Sequence, residues 1–181
     1  LDEALAAELR ARGVDAKAGG ALAGDGCSDG EPACVYLGGL RDVANVDEAI
    51  AVNREAFAIA RTLAGRLETG RGLFVTVQDT GGAFGLAEMD PTRAWLAGLP
   101  ALVKTAGQEW PRASVKAIDL ERAGRSPEAV ARALADELLG GGGEIEVALP
   151  AAGGRFTLRS VAQPVEPGEA PIAMRMIRIS N

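Results

Sequence analysis

Residues Leu73–Glu121 read LFVTVQDTGGAFGLAEMDPTRAWLAGLPALVKTAGQEWPRASVKAIDLE. Leu73–Val77 is a short apolar and β-branched run, the pattern of a strand buried on both faces. Gln78–Asp90, broken by glycines, is a loop at the carboxyl end of that strand. Asp90 caps a helix with Pro91 at its first position, where a missing N–H costs nothing. Trp95, Leu99, Leu102, Val103, Ala106 and Trp110 recur at helical spacing and predict one buried stripe. Pro100 falls inside that pattern, which predicts either a kink or a start later than Pro91. Pro111 ends the helix, and Val115–Leu120 is the next strand. A strand, a helix and a second strand at this spacing form a parallel crossover unit.

The same alternation extends outward. Upstream, Ala33–Leu37 is a short buried strand closed by Gly38 and Gly39. Asn45 and Glu48 form a capping box opening a helix whose apolar face carries Ile50, Phe57, Ala60, Leu63, Ala64 and Leu67, with Gly70 and Gly72 ending the segment. Leu1, Leu5 and Leu9 mark a helix stopped by Gly13, Val14–Ala18 suits a short strand, and residues 19–32 are loop. Downstream, Ser126 caps a helix from Pro127 to Leu139, and Gly140–Gly143 break it. Glu144–Leu149, Arg155–Val161 and Ile172–Ile179 read as strands, with Gln163–Ala170 a Pro/Glu/Gly linker. The expectation is a three-layer α/β fold: a mostly parallel sheet with helices on both faces. Residues 1–162 form its body, and 163–181 a linker with a possible terminal strand.

Composition narrows the function. The 181 residues are 48% hydrophobic and 24% charged, a globular balance that can build a core without disulfides or metal. The net charge is −6 and no basic run is present, which argues against nucleic acid as a partner. No stretch of about 18 apolar residues appears, so no membrane segment is expected and the cytoplasm is the default. Leu1 already lies within a helical pattern, as in a piece of something longer. Cys27 lies in a Gly/Asp loop and Cys34 in an apolar strand, so a disulfide is not expected. There is no histidine, which removes the commonest general acid–base and every Ser–His or Cys–His pair, and makes a zinc site improbable.

Phosphate-binding signatures are absent too. Gly24-Asp25-Gly26 followed by Cys27-Ser28-Asp29 lacks a third glycine, presents acids where a phosphate would sit, and precedes no helix. Gly140–Gly143 follows a helix and precedes a strand, the wrong order for a phosphate cradle. The single tyrosine, Tyr36, lies in a strand with Leu40 four positions on, so no tyrosine–lysine pair exists.

The order of motifs nevertheless resembles a known family. NVDEAIAVNREAFAIA (Asn45–Ala60) is similar to the short-chain dehydrogenase helix built around a Val-Asn pair, in which the asparagine closes a proton relay. The alternative reading of Asn53 is an amide that satisfies a local backbone group. Gln78, Asp79 and Thr80 stand where that family keeps its catalytic serine. The helix from Arg93 to Trp110 stands where it keeps tyrosine and lysine, but offers Arg93, Ala94 and Trp95 with Ala97, Gly98 and Leu99. Val115–Leu120 takes the place of the Val-Asn-Ala-Ile strand. More specifically, LFVTVQDTGGAFGL (Leu73–Leu86), AGLPALVKTAGQEWP (Ala97–Pro111) and VKAIDLE (Val115–Glu121) resemble the structural subdomain of type I polyketide synthase ketoreductases. Those of iterative enediyne and polyunsaturated-fatty-acid-type synthases are the most similar, and the likeness runs from Leu1 to Val165.

The resemblance implies a truncated Rossmann-like fold with no catalytic, cofactor-binding or metal-binding residues of its own. In that family the NADPH loop, serine, tyrosine and lysine belong to a catalytic subdomain that follows in the same polypeptide. Neighbouring synthase domains and a carrier protein complete the implied partners. The tail PIAMRMIRISN lacks the expected strand followed by Thr-Gly-Gly.

Two other readings stand beside this one. In the first, an independent protein uses Gln78, Asp79 and Thr80 with Asp119 and Glu121 to line a pocket at the strand ends, where paired carboxylates do acid–base work. In the second, Met174, Met176, Ile177 and Ile179 form an edge strand for docking or dimerisation.

Overall fold

The computed structural model describes residues 1–19, 31–87, 89–162 and 172–179. The sequence 20–30, with the Gly24–Asp29 segment and Cys27, lies outside them, as does the linker from Gln163 to Ala170.

Each helix is bounded by the chemistry its sequence carries. Helix α1 (Asp2–Ala11) buries Leu5 and Leu9, and Gly13, at φ +85°, turns the chain away. Strand β1 spans Ala33–Gly39. Helix α2 (Val46–Thr69) opens with the capping box: Asn45 Oδ1 accepts from Glu48 N at 3.0 Å, and Glu48 Oε2 accepts from Ala44 N at 2.8 Å. Strand β2 (Leu73–Gln78) leads through a loop to a 3-10 segment, Pro91–Ala97, capped by Asp90 Oδ1 on Thr92 N at 2.9 Å. Helix α3 (Gly98–Glu109) follows directly. Strand β3 is Ser114–Leu120, helix α4 is Pro127–Gly140 under its Ser126 cap, and β4, β5 and β6 are Glu146–Leu149, Phe156–Ala162 and Ile172–Arg178.

Three expectations need correction, and the choice left open at Pro100 is decided. Val14–Ala18 forms no strand; Arg10 Nη1 donates to Ala16 O at 3.1 Å and Ala16 packs on the core, so the segment is tied to α1 instead. At Pro100 the later start holds and there is no kink: α3 begins at Gly98 and places Pro100 in the first turn, where its missing N–H is not needed. Trp95 is 54% exposed and Leu96 is buried in its place, because three residues per turn in the 3-10 segment shift the phase of the stripe. Phe57 is also exposed, while Ala49, Val52, Ala56, Ala60, Leu63 and Leu67 make the inner face of α2.

Among the described residues six strands form one sheet in sequence order, β1 to β6. β1–β4 are parallel; β5 and β6 are antiparallel additions. Alternation along the strands divides the core between the two faces. Phe74 and Ala117 pack under α2 and α3 with Leu63, Leu67, Val103 and Trp110, whose ring meets Phe74 edge-on at 5.8 Å. Val75, Val77, Ile118 and Leu120 pack under α1 and α4 with Leu5, Leu9, Val130 and Leu134. The strands therefore advance in one direction while α2 and α3 cross one face and α4 the other. Crossovers that advance the same way over opposite faces have opposite hand, so β3–α4–β4 is handed against the two before it, a rare connection in parallel sheets.

That exceptional helix is pinned by a buried ionic cluster. Glu137 of α4 accepts from Lys116 of β3, and its Oε2 accepts from Arg155 Nε, ahead of β5, at 2.5 Å. Arg155 also reaches Glu144 at 2.8 Å, and Lys116 Nζ donates to Gly142 O at 2.9 Å. All of Glu137's charge is thus met by partners on the neighbouring elements.

Candidate functional site

An open parallel sheet offers its ligand site at the carboxyl ends of the strands. Here β1 and β2 converge closely: Gly39 pairs with Gln78 after a register shift, and a Cβ at Gly39 would lie 2.6 Å from Val77 O and 2.8 Å from Gln78 Cα. Gln78 in turn pairs with Asp119. Of the side chains named at these ends, Gln78, Asp79, Thr80 and Asp119 are brought together, and the two aspartates are bonded to loop N–H groups and Arg122.

Asp119 is fully buried. Its Oδ1 accepts from Thr80 N at 2.7 Å and its Oδ2 from Phe84 N at 2.6 Å. Burial pushes its carboxyl above the usual carboxylate range, and the Thr80 and Phe84 N–H groups pull against that shift. Asp79 Oδ1 accepts from Gly81 N at 3.1 Å, and its Oδ2 accepts from Arg122 N at 3.2 Å and Arg122 Nε at 3.3 Å. The other end of Arg122 holds Asp42 Oδ1 at 2.5 Å and draws that carboxyl below its usual range. Arg93 donates to three carbonyls at the strand ends: Asp79 at 2.5 Å, Gly39 at 3.1 Å and Arg41 at 3.2 Å.

The loop 80–85 is therefore a set of backbone donors wrapped on carboxylates. Gly81, Gly82 and Gly85 have positive φ, and Phe84 shares that region at φ 55°, which a side chain of its size adopts only when held. A Cβ on Gly82 would meet Pro150 Cα at 2.8 Å, so the loop also packs tightly from behind. N–H groups arranged this way make an anion cradle. In this chain the anions are its own Asp119 and Asp79.

Glu121 points elsewhere, accepting from Ala151 N at 2.8 Å in the β4–β5 connection. The strand-end group thus reduces to Gln78, Asp79, Thr80 and Asp119. Gln78 Oε1 and Thr76 Oγ1 are buried acceptors with no partner among the described residues. Asn53 takes the backbone role: its amide donates to Ala49 O at 3.0 Å and Trp95 O at 2.8 Å, which fixes the 3-10 segment to α2. Tyr36 is buried, with its hydroxyl bonded to Val52 O at 3.0 Å and Glu55 at 2.9 Å; burial and then the Glu55 bond push the phenol upward. No group of three or more potential metal ligands occurs among the described residues. A recess of about 410 Å³ lies at the opposite, amino end of β2 and β3, lined by Leu73, Trp110, Ser114, Gly143 and Ile145.

Arg93 and Arg122 are the functional-site residues that sequence reasoning passed over. Arg93 was visible only as a departure from the tyrosine–lysine pattern. Its role depends on the 3-10 turn that aims it back at the sheet.

Comparison with known proteins places the fold. Over 98% of its length the chain superposes, with a TM-score of 0.51 and 15% identity, on a structure described as the adenylation, ketoreductase, and pseudo Asub multidomain structure of a keto acid-selecting NRPS module. The fold is Rossmann-like. The chain spans 13% of that multidomain polypeptide. No family model and no curated protein matches the sequence. No helix among the described residues is long and apolar enough to cross a membrane.

Proposed function

We propose that the chain is a non-catalytic structural subdomain that braces the NADPH-dependent, β-ketoacyl-reducing half of a polyketide synthase. The observation that carries this reading is the filled strand end. Where a reductase of this architecture needs open backbone donors for a pyrophosphate, Asp119, Asp79 and Arg93 already occupy the donors and carbonyls. A dinucleotide would have to displace buried, satisfied groups and bring its own negative charge against two carboxylates.

A brace also needs a bearing surface. Phe57 and Trp95 are 53% and 54% exposed, and Asn53, one turn before Phe57 on α2, holds the carbonyl of Trp95. Two large aromatic side chains in water on adjoining elements suit contact with another domain of the same polypeptide. The multidomain setting of the structural neighbour supports partners of that kind.

The test is a titration of the chain with NADPH, followed by nicotinamide fluorescence. The expected result is no saturable binding tighter than millimolar. Saturable micromolar binding would show that the strand-end loop opens for a nucleotide and would end the proposal.

A further inference from the structure

The β5–β6 ribbon has a charge pattern that the rest of the fold does not use. Among the described residues it joins the sheet through one registered pair, Ala148 with Phe156, and none of its described side chains belongs to the core clusters. A two-stranded ribbon is marginal by itself. Yet its register places Arg159 directly opposite Arg175, and both are exposed. Like charges directly opposite on a sheet repel. No carboxylate pairs with Arg159, Arg175 or Arg178 among the described residues, whereas Arg12, Arg41, Arg122 and Arg155 all have acids. The described ribbon residues include no acid at all, on a chain whose net charge is −6.

We propose that this face of the ribbon docks an acidic segment of a partner protein, with the two opposed guanidinia bracketing its carboxylates. A carboxylate set between them turns repulsion into attraction, and the planar guanidinium fork suits it better than a point charge would. Ile177 and Val161, partly buried on the same face, supply apolar contact on either side of the arginine pair. Protection of the sheet edge accounts for arginines on β6. It does not account for Arg159, which lies on β5, inside the edge. A nucleic-acid backbone would call for a longer basic stripe than one opposed pair with Arg178 on the reverse face. The surface is separate from the Phe57–Trp95 face, so the two stand or fall independently.

The experiment titrates the chain with a fluorescein-labelled poly-glutamate peptide, read by anisotropy at low and moderate salt. Binding should appear at low salt and weaken as salt rises. Reversal of Arg159→Glu with Arg175→Glu should weaken it by roughly tenfold or more, while Arg54→Glu with Arg132→Glu on the helices should change it little. Arg175→Glu alone makes the opposed pair attractive, so it should keep or raise the melting temperature while lowering affinity. A merely structural role would move the melting temperature and leave affinity unchanged. Absence of binding at low salt, equal loss in the helix control, or tighter binding of a single-stranded oligonucleotide than of the peptide would each overturn the proposal.

Discussion

At the scale of single residues, Asp119 is the group on which the strand-end loop depends. Its two oxygens hold Thr80 N and Phe84 N, and the second bond keeps Phe84 in its left-handed conformation. Asparagine at this position keeps one acceptor and turns an NH₂ toward a backbone N–H. Asp119→Asn should therefore cost about 1–3 kcal/mol at neutral pH, measured by urea unfolding. The pH dependence carries a sign of its own. Burial raises the folded-state pKa of Asp119, so the folded chain holds this proton more tightly than the unfolded chain. From the unfolded value near ~3.9 upward through the raised folded value, increasing pH removes that contribution to stability. Wild-type stability should show this decline across the window, and the difference between wild type and Asp119→Asn should shrink as pH rises through it. A difference that is flat with pH would mean the carboxyl is not raised.

At the scale of elements, what could be read from the sequence was whatever local chemistry decides. Asn45, Asp90 and Ser126 cap where they were expected because a cap needs only its own side chain and the next three residues. Leu73–Val77 and Val115–Leu120 are strands because a short β-branched run between breakers has few alternatives. The phase of a helix was less legible. Helical spacing placed Phe57 and Trp95 in the buried stripes, but α2 turns its alanines inward to approach the sheet, and the 3-10 turn moves Leu96 into the place meant for Trp95. The closed site was not legible, because Asp119, Asp79, Arg93 and Arg122 lie on separate elements and meet only once the register is set. The same holds for the cluster that fixes α4. Glu137→Ala would leave Lys116 without its acid and Arg155 with Glu144 alone, two cations close together in the interior, and should cost about 3–5 kcal/mol in chemical denaturation. A loss near zero would show that the cluster is relieved by water and does not hold the unusual crossover.

At the scale of the whole molecule, helices cover each face of the parallel sheet, α1 and α4 on one side and α2 and α3 on the other. Within that arrangement Phe57 and Trp95 stay in water although Phe74 and Trp110, the other aromatic pair on this side, are buried in contact. Their exposure implies that removing them costs the isolated fold little. Phe57→Ser should change unfolding free energy by no more than about 0.5–1 kcal/mol, since half of the side chain already lies in water. If the brace bears on this face, the same substitution should weaken association with a reductase half supplied separately by roughly tenfold or more, as for an aromatic anchor at an interface centre. Trp95 provides the readout. It should emit like an exposed indole in the free chain and shift to the blue as the partner displaces water, against a constant contribution from buried Trp110. A partner that binds the Phe57→Ser chain as tightly as wild type, or binds without moving Trp95 emission, would place the bearing surface elsewhere on the molecule. Loss of both stability and binding would instead mean that Phe57 supports α2 itself.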